Sequence, residues 1–343
     1  MLFENFDYPN FKVDTVQGRY VVHAQVLEFM GRLSRFMDTS NIGLSVEGRS
    51  LPCITLGKGE TRILMWSQMH GNESTTTKAI FDLVNFLIHG NDQAREMLRN
   101  CTFKIIPMLN PDGAQAYTRV NANGVDLNRD AQDLGQPESK ALRDTYTSFA
   151  PHYCFNLHDQ RTIFNVGRTE KPATISFLSP SCDGERSINE TRRKSMRLIA
   201  LMHAALAHHI PGQVGRYDDT FNANCVGDTF QMLGTPTILF EAGHFPGDYQ
   251  RERTRRYIFM ALYSGIWGIA LNHLDTVDYM DYFRIPENGK FFQDILIHNI
   301  GLVNRNFGKE DSLGLLYEEK LVDNSICFMT KIRFQISFFI HFR

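Results

Sequence analysis

The sequence predicts an α/β fold, a sheet with helices on its faces, followed by a small β-rich appendage. Three observations carry this. Between residues 51 and 271, short apolar runs alternate with stretches of helical apolar spacing, the pattern of strands and helices that build an α/β sheet. Several of those runs end in polar residues of complementary chemistry, and such sheets hold ligands at the carboxyl ends of their strands. After Asn272 the texture changes to brief strand-like runs between turn-rich pieces, which sets the division at 1–272 and 273–343.

The 343 residues suit one large domain plus an appendage, since domains run to roughly 100–200 residues. Apolar residues make up 43% and the net charge is -2, so neither sign dominates and nothing points to nucleic acid or an anionic membrane. No apolar run approaches the roughly 20 residues that span a bilayer. The start, Met1 to Asp7, has acidic residues where a signal peptide begins basic, and the expected location is the cytoplasm. Six scattered cysteines without a Cys-x-x-Cys pair read as reduced thiols.

Taken in order, Val22, Val26, Phe29, Met30 and Leu33 have helical spacing within 20–37. Runs at 51–56 and 62–69, joined by Gly57-Lys-Gly-Glu60, predict a hairpin. Helices are expected from Glu73 to about Gly90, over 92–99 and over 137–149, and strands over 102–109 and 153–157. A long helix follows at about 185–209, whose Arg192, Arg193, Lys194 and Arg197 read as a solvated face. The last core strand, 236–240, ends in Glu241, and a helix runs from about 248 to 271. In the appendage, 295–297, 315–317 and 326–329 are strand-like, with turns at 304–306 and 322–324. The Phe- and Ile-rich end, 334–343, carries no turn signal and stays open.

The chemistry sits at the strand ends. His70 and Glu73 stand three apart where a strand meets a helix, spaced to hold one metal ion between an imidazole and a carboxylate. A catalytic zinc site has three such protein ligands and leaves one position for water. Alone, the pair reads equally as a helix start with Glu73 near the positive end of the dipole. Further ends add Asn110-Pro-Asp-Gly113, Arg119, Val125-Asp-Leu-Asn-Arg129, His158 and Glu241.

With these motifs in this order, the chain over roughly 20–270 resembles the zinc metallocarboxypeptidases, the family of carboxypeptidases A and B, as a short bacterial-type member. The resemblance implies a mixed, twisted sheet with helices on both faces. It implies one Zn²⁺ on His70, Glu73 and His158, with water as the fourth ligand. Glu241 is then the general base, Arg119 the stabiliser of the developing oxyanion, and Asn128 and Arg129 the grip on the substrate's terminal carboxylate. Asp126 takes the position that orients the first zinc histidine. Arg161 and Arg168 are alternatives to Arg119. The family's substrate-binding tyrosine has no clean match: Asp219 falls near its spacing, beside Tyr217, and Tyr249 is the other candidate. Asp228 faces either a side-chain pocket or, as the simpler reading, a turn or helix cap.

The expected function is zinc-dependent hydrolysis of an amide bond that releases a carboxy-terminal residue from a peptide. Leu157-His158-Asp159-Gln-Arg161 also resembles the zinc deacylases of the aspartoacylase and succinylglutamate desuccinylase group, so an acyl amino acid is the alternative substrate. A zinc-binding but inactive protein is a third reading. The arginines, base and ligands that a catalyst needs all have candidates, which speaks against it.

Overall fold

The structure, a computed structural model, describes residues 6–302, 308–332 and 340–341. The start of the acidic amino terminus, the turn at 304–306 and most of the Phe-rich end lie outside these. Its strands are β1 (Asp38–Leu44), β2 (Ser50–Gly57), β3 (Thr61–Ser67), β4 (Cys101–Ile106), β5 (Tyr153–Asp159), β6 (Asn165–Val166), β7 (Ile175–Leu178), β8 (Val214–Arg216) and β9 (Thr237–Ala242). Then come β10 (Asn288–Gly289), β11 (Phe292–Gln293), β12 (Ile295–Ile297), β13 (Leu313–Val322), β14 (Ser325–Ile332) and β15 (Ile340–His341). The helices are α1 (His23–Leu33), α2 (Thr75–His89), α3 (Asp92–Asn100), α4 (Pro111–Ala116), α5 (Pro137–Phe149), α6 (Glu190–Leu206), α7 (Val226–Met232) and α8 (Glu252–Ala270).

Eight strands form the central sheet in the order β1-β2-β4-β3-β5-β9-β7-β8. The pairs β4–β3, β3–β5, β5–β9 and β7–β8 are parallel, while β1–β2, β2–β4 and β9–β7 are antiparallel, so the sheet is mixed. Successive side chains of a strand point to opposite faces. In β3, Ile63 and Met65 enter the larger core with residues of α2, α3, α6 and α8, while Leu64 and Trp66 enter a smaller one with Leu142 of α5 and Val226 and Phe230 of α7. Both faces are therefore covered by helices.

The expected hairpin is overturned: β4 lies between β2 and β3. The glycines serve a crossing instead of a two-strand turn. Gly57 has φ +79°, and a Cβ on Gly59 would stand 1.9 Å from the Asn100 carbonyl carbon. Only residues without a side chain let 57–60 step over the start of β4. The basic face of α6 also needs correction. Arg192 is buried and bonds the Asp219 carboxylate and the carbonyl oxygens of Arg186 and Ser179.

The runs expected at 295–297, 315–317 and 326–329 fall in β12, β13 and β14, which form one antiparallel sheet. β10 pairs with β6, and β11 with β15. The six cysteines are free thiols. Among the described residues no helix is long and apolar enough to cross a membrane.

α2, which starts just after the His70–Glu73 turn, is tied to α8 by charge. The Lys78 ammonium, fully buried, donates to Glu252 Oε1 at 2.6 Å and to the Gln250 carbonyl at 3.2 Å. Burial pushes the lysine down to about 8. For Glu252 burial works upward, but Lys78 and Arg255 outweigh it and hold the carboxyl at about 2, against an ordinary 4.5. A carboxyl depressed on folding stabilises the protein above its unfolded pKa and loses that contribution as the pH falls through the folded one. Acid unfolding should therefore draw on Glu252 between about pH 4.5 and 2. Glu252→Gln leaves the lysine charge buried and should cost about 3 kcal/mol at neutral pH, read as a lower melting temperature whose deficit shrinks in acid.

Candidate metal centre

β3, β5 and β9 run parallel side by side, so their carboxyl ends open on one edge. Ser67 pairs with Leu157, and His158 pairs with Glu241. Past Ser67 the chain turns sharply at Gln68, whose φ is 47°. Its side-chain amide holds that turn by donating to the carbonyls of Val21 (2.9 Å) and Gly71 (2.8 Å). A Cβ on Gly71 would stand 1.9 Å from the Gly113 carbonyl carbon, and one on Gly113 would stand 2.5 Å from the Val120 oxygen. The turns His70-Gly-Asn-Glu73 and Asn110-Pro-Asp-Gly113 thus meet backbone on backbone, which glycine alone permits. The Asn110 amide donates to the Met69 carbonyl (3.2 Å), and Asn72 N–H donates to the Thr118 carbonyl (3.2 Å). This brings Arg119 beside the turn.

Three donors face one point. His70 Nδ1 lies 2.9 Å from Glu73 Oε1, His158 Nδ1 lies 2.9 Å from Glu73 Oε2, and the two Nδ1 atoms are 3.0 Å apart. These three buried residues form a group that can hold a metal ion. Two imidazoles and a carboxylate are a donor set of catalytic zinc, and two ring nitrogens aimed at each other fit a shared cation. Asp126 Oδ1 sits 2.9 Å from His70 Nε2, on the side of the ring away from that point, and such a partner fixes the ring's tautomer. Burial alone would push Glu73 up, yet the two histidines hold it well below the usual carboxylate range. Asp159 N–H adds a bond to Glu73 Oε2 at 3.1 Å.

Arg119 donates to Asp126 Oδ2 (3.1 Å) and Glu73 Oε1 (3.2 Å), with its side chain about half exposed. Arg161 and Arg168, its alternatives, are exposed, and among the described residues neither forms a hydrogen bond or ion pair with the three donors. Glu241 lies next to His158 in register. Its Oε2 is buried without a hydrogen-bond partner among the described residues. Burial, reinforced by the charges of Glu73 and Asp159, pushes its carboxyl well above the ordinary 4.5.

Asn128 Oδ1 accepts from Val226 N–H at 3.1 Å, and exposed Arg129 donates to the Asn128 carbonyl at 2.8 Å. The Arg129 charge reaches Asp228, whose carboxyl burial pushes up to about 7. Asp228 lies in the first turn of α7.

The structure separates the tyrosine candidates. Tyr217 follows β8, and its N–H donates to the Phe177 carbonyl at 3.0 Å; burial raises its hydroxyl, and the charges of Glu241 and Glu73 raise it further. Tyr249 donates to Asp294 at 3.1 Å, and Asp219 is held by Arg186 and Arg192. Asp159, marked in the sequence only by its place after His158, accepts from the first N–H groups of α2, those of Thr75 (3.0 Å) and Thr76 (3.3 Å).

Residues 23–179 match the family described as zinc carboxypeptidase. Carboxypeptidase SOL1 of Arabidopsis thaliana is 31% identical over 195 residues, 51% of this chain and 40% of that protein. A probable carboxypeptidase 2 of Arthroderma benhamiae is 28% identical over 138 residues, 37% of this chain and 26% of that protein. The chain thus spans about a quarter of the length of such fungal relatives. Among solved structures, a metallo-carboxypeptidase from Burkholderia cenocepacia superposes with a TM-score of 0.58 at 20% identity, covering 74% of this chain and 69% of that one. The carboxypeptidase A of Helicoverpa armigera gives 0.59 at 16%, covering 74% of each. The fold is that of the carboxypeptidases, and residues 23–179 are similar to the zinc carboxypeptidase family.

Proposed function

We propose that the protein is a zinc-dependent hydrolase that releases the carboxy-terminal residue of a peptide, with 1–272 as the catalytic domain and 273–343 as a β-rich appendage. The observation that carries this reading is the convergence of His70, Glu73 and His158 with the Glu241 carboxylate, in register beside His158 and with its buried Oε2 lacking a hydrogen-bond partner among the described residues. These residues would hold one Zn²⁺, which when bound supplies a Lewis acid for the scissile carbonyl and lowers the pKa of water.

The chain's own residues do the rest. Glu241 takes the proton of the attacking water and returns it to the leaving amine, a task that favours a carboxyl raised toward neutrality. Arg119, held in place by Asp126 and Glu73, turns its half-exposed guanidinium to the negative oxygen that forms on the carbonyl. Asn128 and Arg129 bind the terminal carboxylate, where a planar guanidinium meets two oxygens at once.

Three outcomes test this. Zinc titration should give one ion per chain, removable by chelator, with Asp126→Asn weakening binding by about 10- to 100-fold because His70 loses its orienting partner. Glu241→Gln should retain the zinc and lose about 10²- to 10⁴-fold in kcat. Peptides with a free carboxylate should be cleaved at least about tenfold faster than their amides, the worth of a charged hydrogen bond. Equal rates on both would defeat the exopeptidase reading, and faster cleavage of an N-acyl amino acid than of any peptide would replace it with a deacylase.

A further inference from the structure

The carboxylate of Glu73 faces two ways. Its Oε1 meets His70 and Arg119, and through Arg119 the loop of Asp126, Asn128 and Arg129. Its Oε2 meets His158 and the Asp159 N–H. On this second side opens a cavity of about 310 Å³. The sheet end lines it with Asn72, Glu73 and Asp159, and the carboxy-terminal strands line it with Tyr317, Glu318 and Phe328. Asp126, Asn128 and Arg129 do not line it.

The strands that make this wall are anchored to the sheet domain. Glu319 of β13 accepts from Arg19 at 2.9 Å and from the Tyr117 hydroxyl at 2.6 Å. Asp294, which precedes β12, accepts from the Tyr317 N–H at 2.8 Å and from the hydroxyls of Thr162 and Tyr249, each at 3.1 Å. The Tyr249 ring stands edge-on to Phe328 at 5.2 Å and to Tyr317 at 6.1 Å. These contacts hold Arg19, Glu319 and Asp294, and the wall offers a ligand both polar groups, Gln160 and Arg161 among them, and the aromatic surface of Tyr249, Tyr317 and Phe328.

We propose that β13 and β14 are part of the substrate cleft and limit its length. This rests on the carboxypeptidase reading. A peptide with its terminal carboxylate at Arg129 and its scissile bond at Glu73 must send its amino-terminal part into the cavity, toward β13. The volume is at the small end of the roughly 300–1,000 Å³ of ligand pockets, with room for about one or two residues. The preferred substrate is therefore a di- or tripeptide, and longer chains meet the wall of Tyr317 and Phe328.

The test uses the zinc-loaded full chain and a series of free-carboxylate peptides that share their last two residues and grow at the amino end. kcat/KM should fall at least about tenfold from tripeptide to hexapeptide, the scale on which a closed pocket rejects extra atoms. In Phe328→Ala and, separately, Tyr317→Ala, the fall should shrink several-fold through faster turnover of the long members. Melting curves establish that each variant folds. Calorimetric binding of the same series to the zinc-free chain should show the same length limit. A flat length profile in the parent protein, or an unchanged one in both folded variants, overturns the proposal. Zinc bound with no turnover of any member overturns the carboxypeptidase reading instead, and the calorimetry then decides the length limit alone.

Discussion

A carboxylate kept ionised while buried is the constraint on which the site depends. Glu73 is 8% exposed, and burial of a charge without partners would cost several kcal/mol. It is met by two imidazoles, the Asp159 N–H and the Arg119 guanidinium. Each partner needs its own support, so the requirement spreads outward. His70 presents Nδ1 because Asp126 holds Nε2. Asp159 is itself buried, and its carboxylate rests on the free N–H groups at the start of α2, where a negative charge is favoured. Arg251 lies 4.0 Å from Asp159 and donates to the carbonyls of Ala242 and Gln160 at the ends of β9 and β5. The charge at the centre is thus compensated through strand ends, a helix start and a buried arginine, and moving one of them disturbs the rest.

Backbone geometry makes this convergence possible. Parallel register sets His158 beside Glu241 without any side-chain contact having to choose it. Register alone would not bring His70 and Glu73 to the same point, because they lie beyond the end of β3. That displacement is set by the left-handed turn at Gln68 and by the contact of Gly71 with Gly113. Asn121 does similar work on the opposite side. Its Oδ1 accepts from the N–H groups of Asn123 and Val125, shaping the turn that delivers Asp126. The motifs of the metal side are therefore mostly turn-makers, with few residues in each free to do chemistry.

What was legible in the sequence follows from the range of the forces involved. α2, α3 and α5 stand where apolar spacing placed them, since periodicity records which face each element buries. The group that can hold a metal ion was legible because His70 with Glu73, His158 and Glu241 stand at successive strand ends in an α/β order. β1 was not, because its side chains are largely exposed and an edge strand of that kind carries no alternation. β7 and β8 are too short, at four and three residues, to show a period. The order of β2, β4 and β3 depends on a crossing at Gly57 and Gly59, and a glycine-rich link looks the same in sequence whether it turns back or steps over. The position of Tyr217, just past β8, depends on the pairing of β8 with β7, a long-range pairing with no local signature. Arg192 looked like one more surface cation because its partners, Asp219 and the 179 and 186 carbonyls, are remote along the chain or hidden in the backbone.

The carboxy-terminal strands raise the same question of range. Ion pairs removed from water contribute little net stability, because desolvation offsets attraction. Arg19, whose side chain is 4% exposed, is therefore poorly explained as a source of stability for the appendage. Its geometry has a different consequence. Glu319 accepts from Arg19 and Tyr117 through one oxygen, while two positions earlier Tyr317 N–H donates to Asp294. A one-residue slip of β13 would turn Glu319 to the other face of the strand and leave Arg19 buried without its carboxylate, a loss of several kcal/mol. The register of β13 is thereby tied to the part of the chain that brings His70, Glu73 and His158 together. The same register decides which side chains β13 turns toward the cavity, so the pair that fixes the strand also fixes the wall.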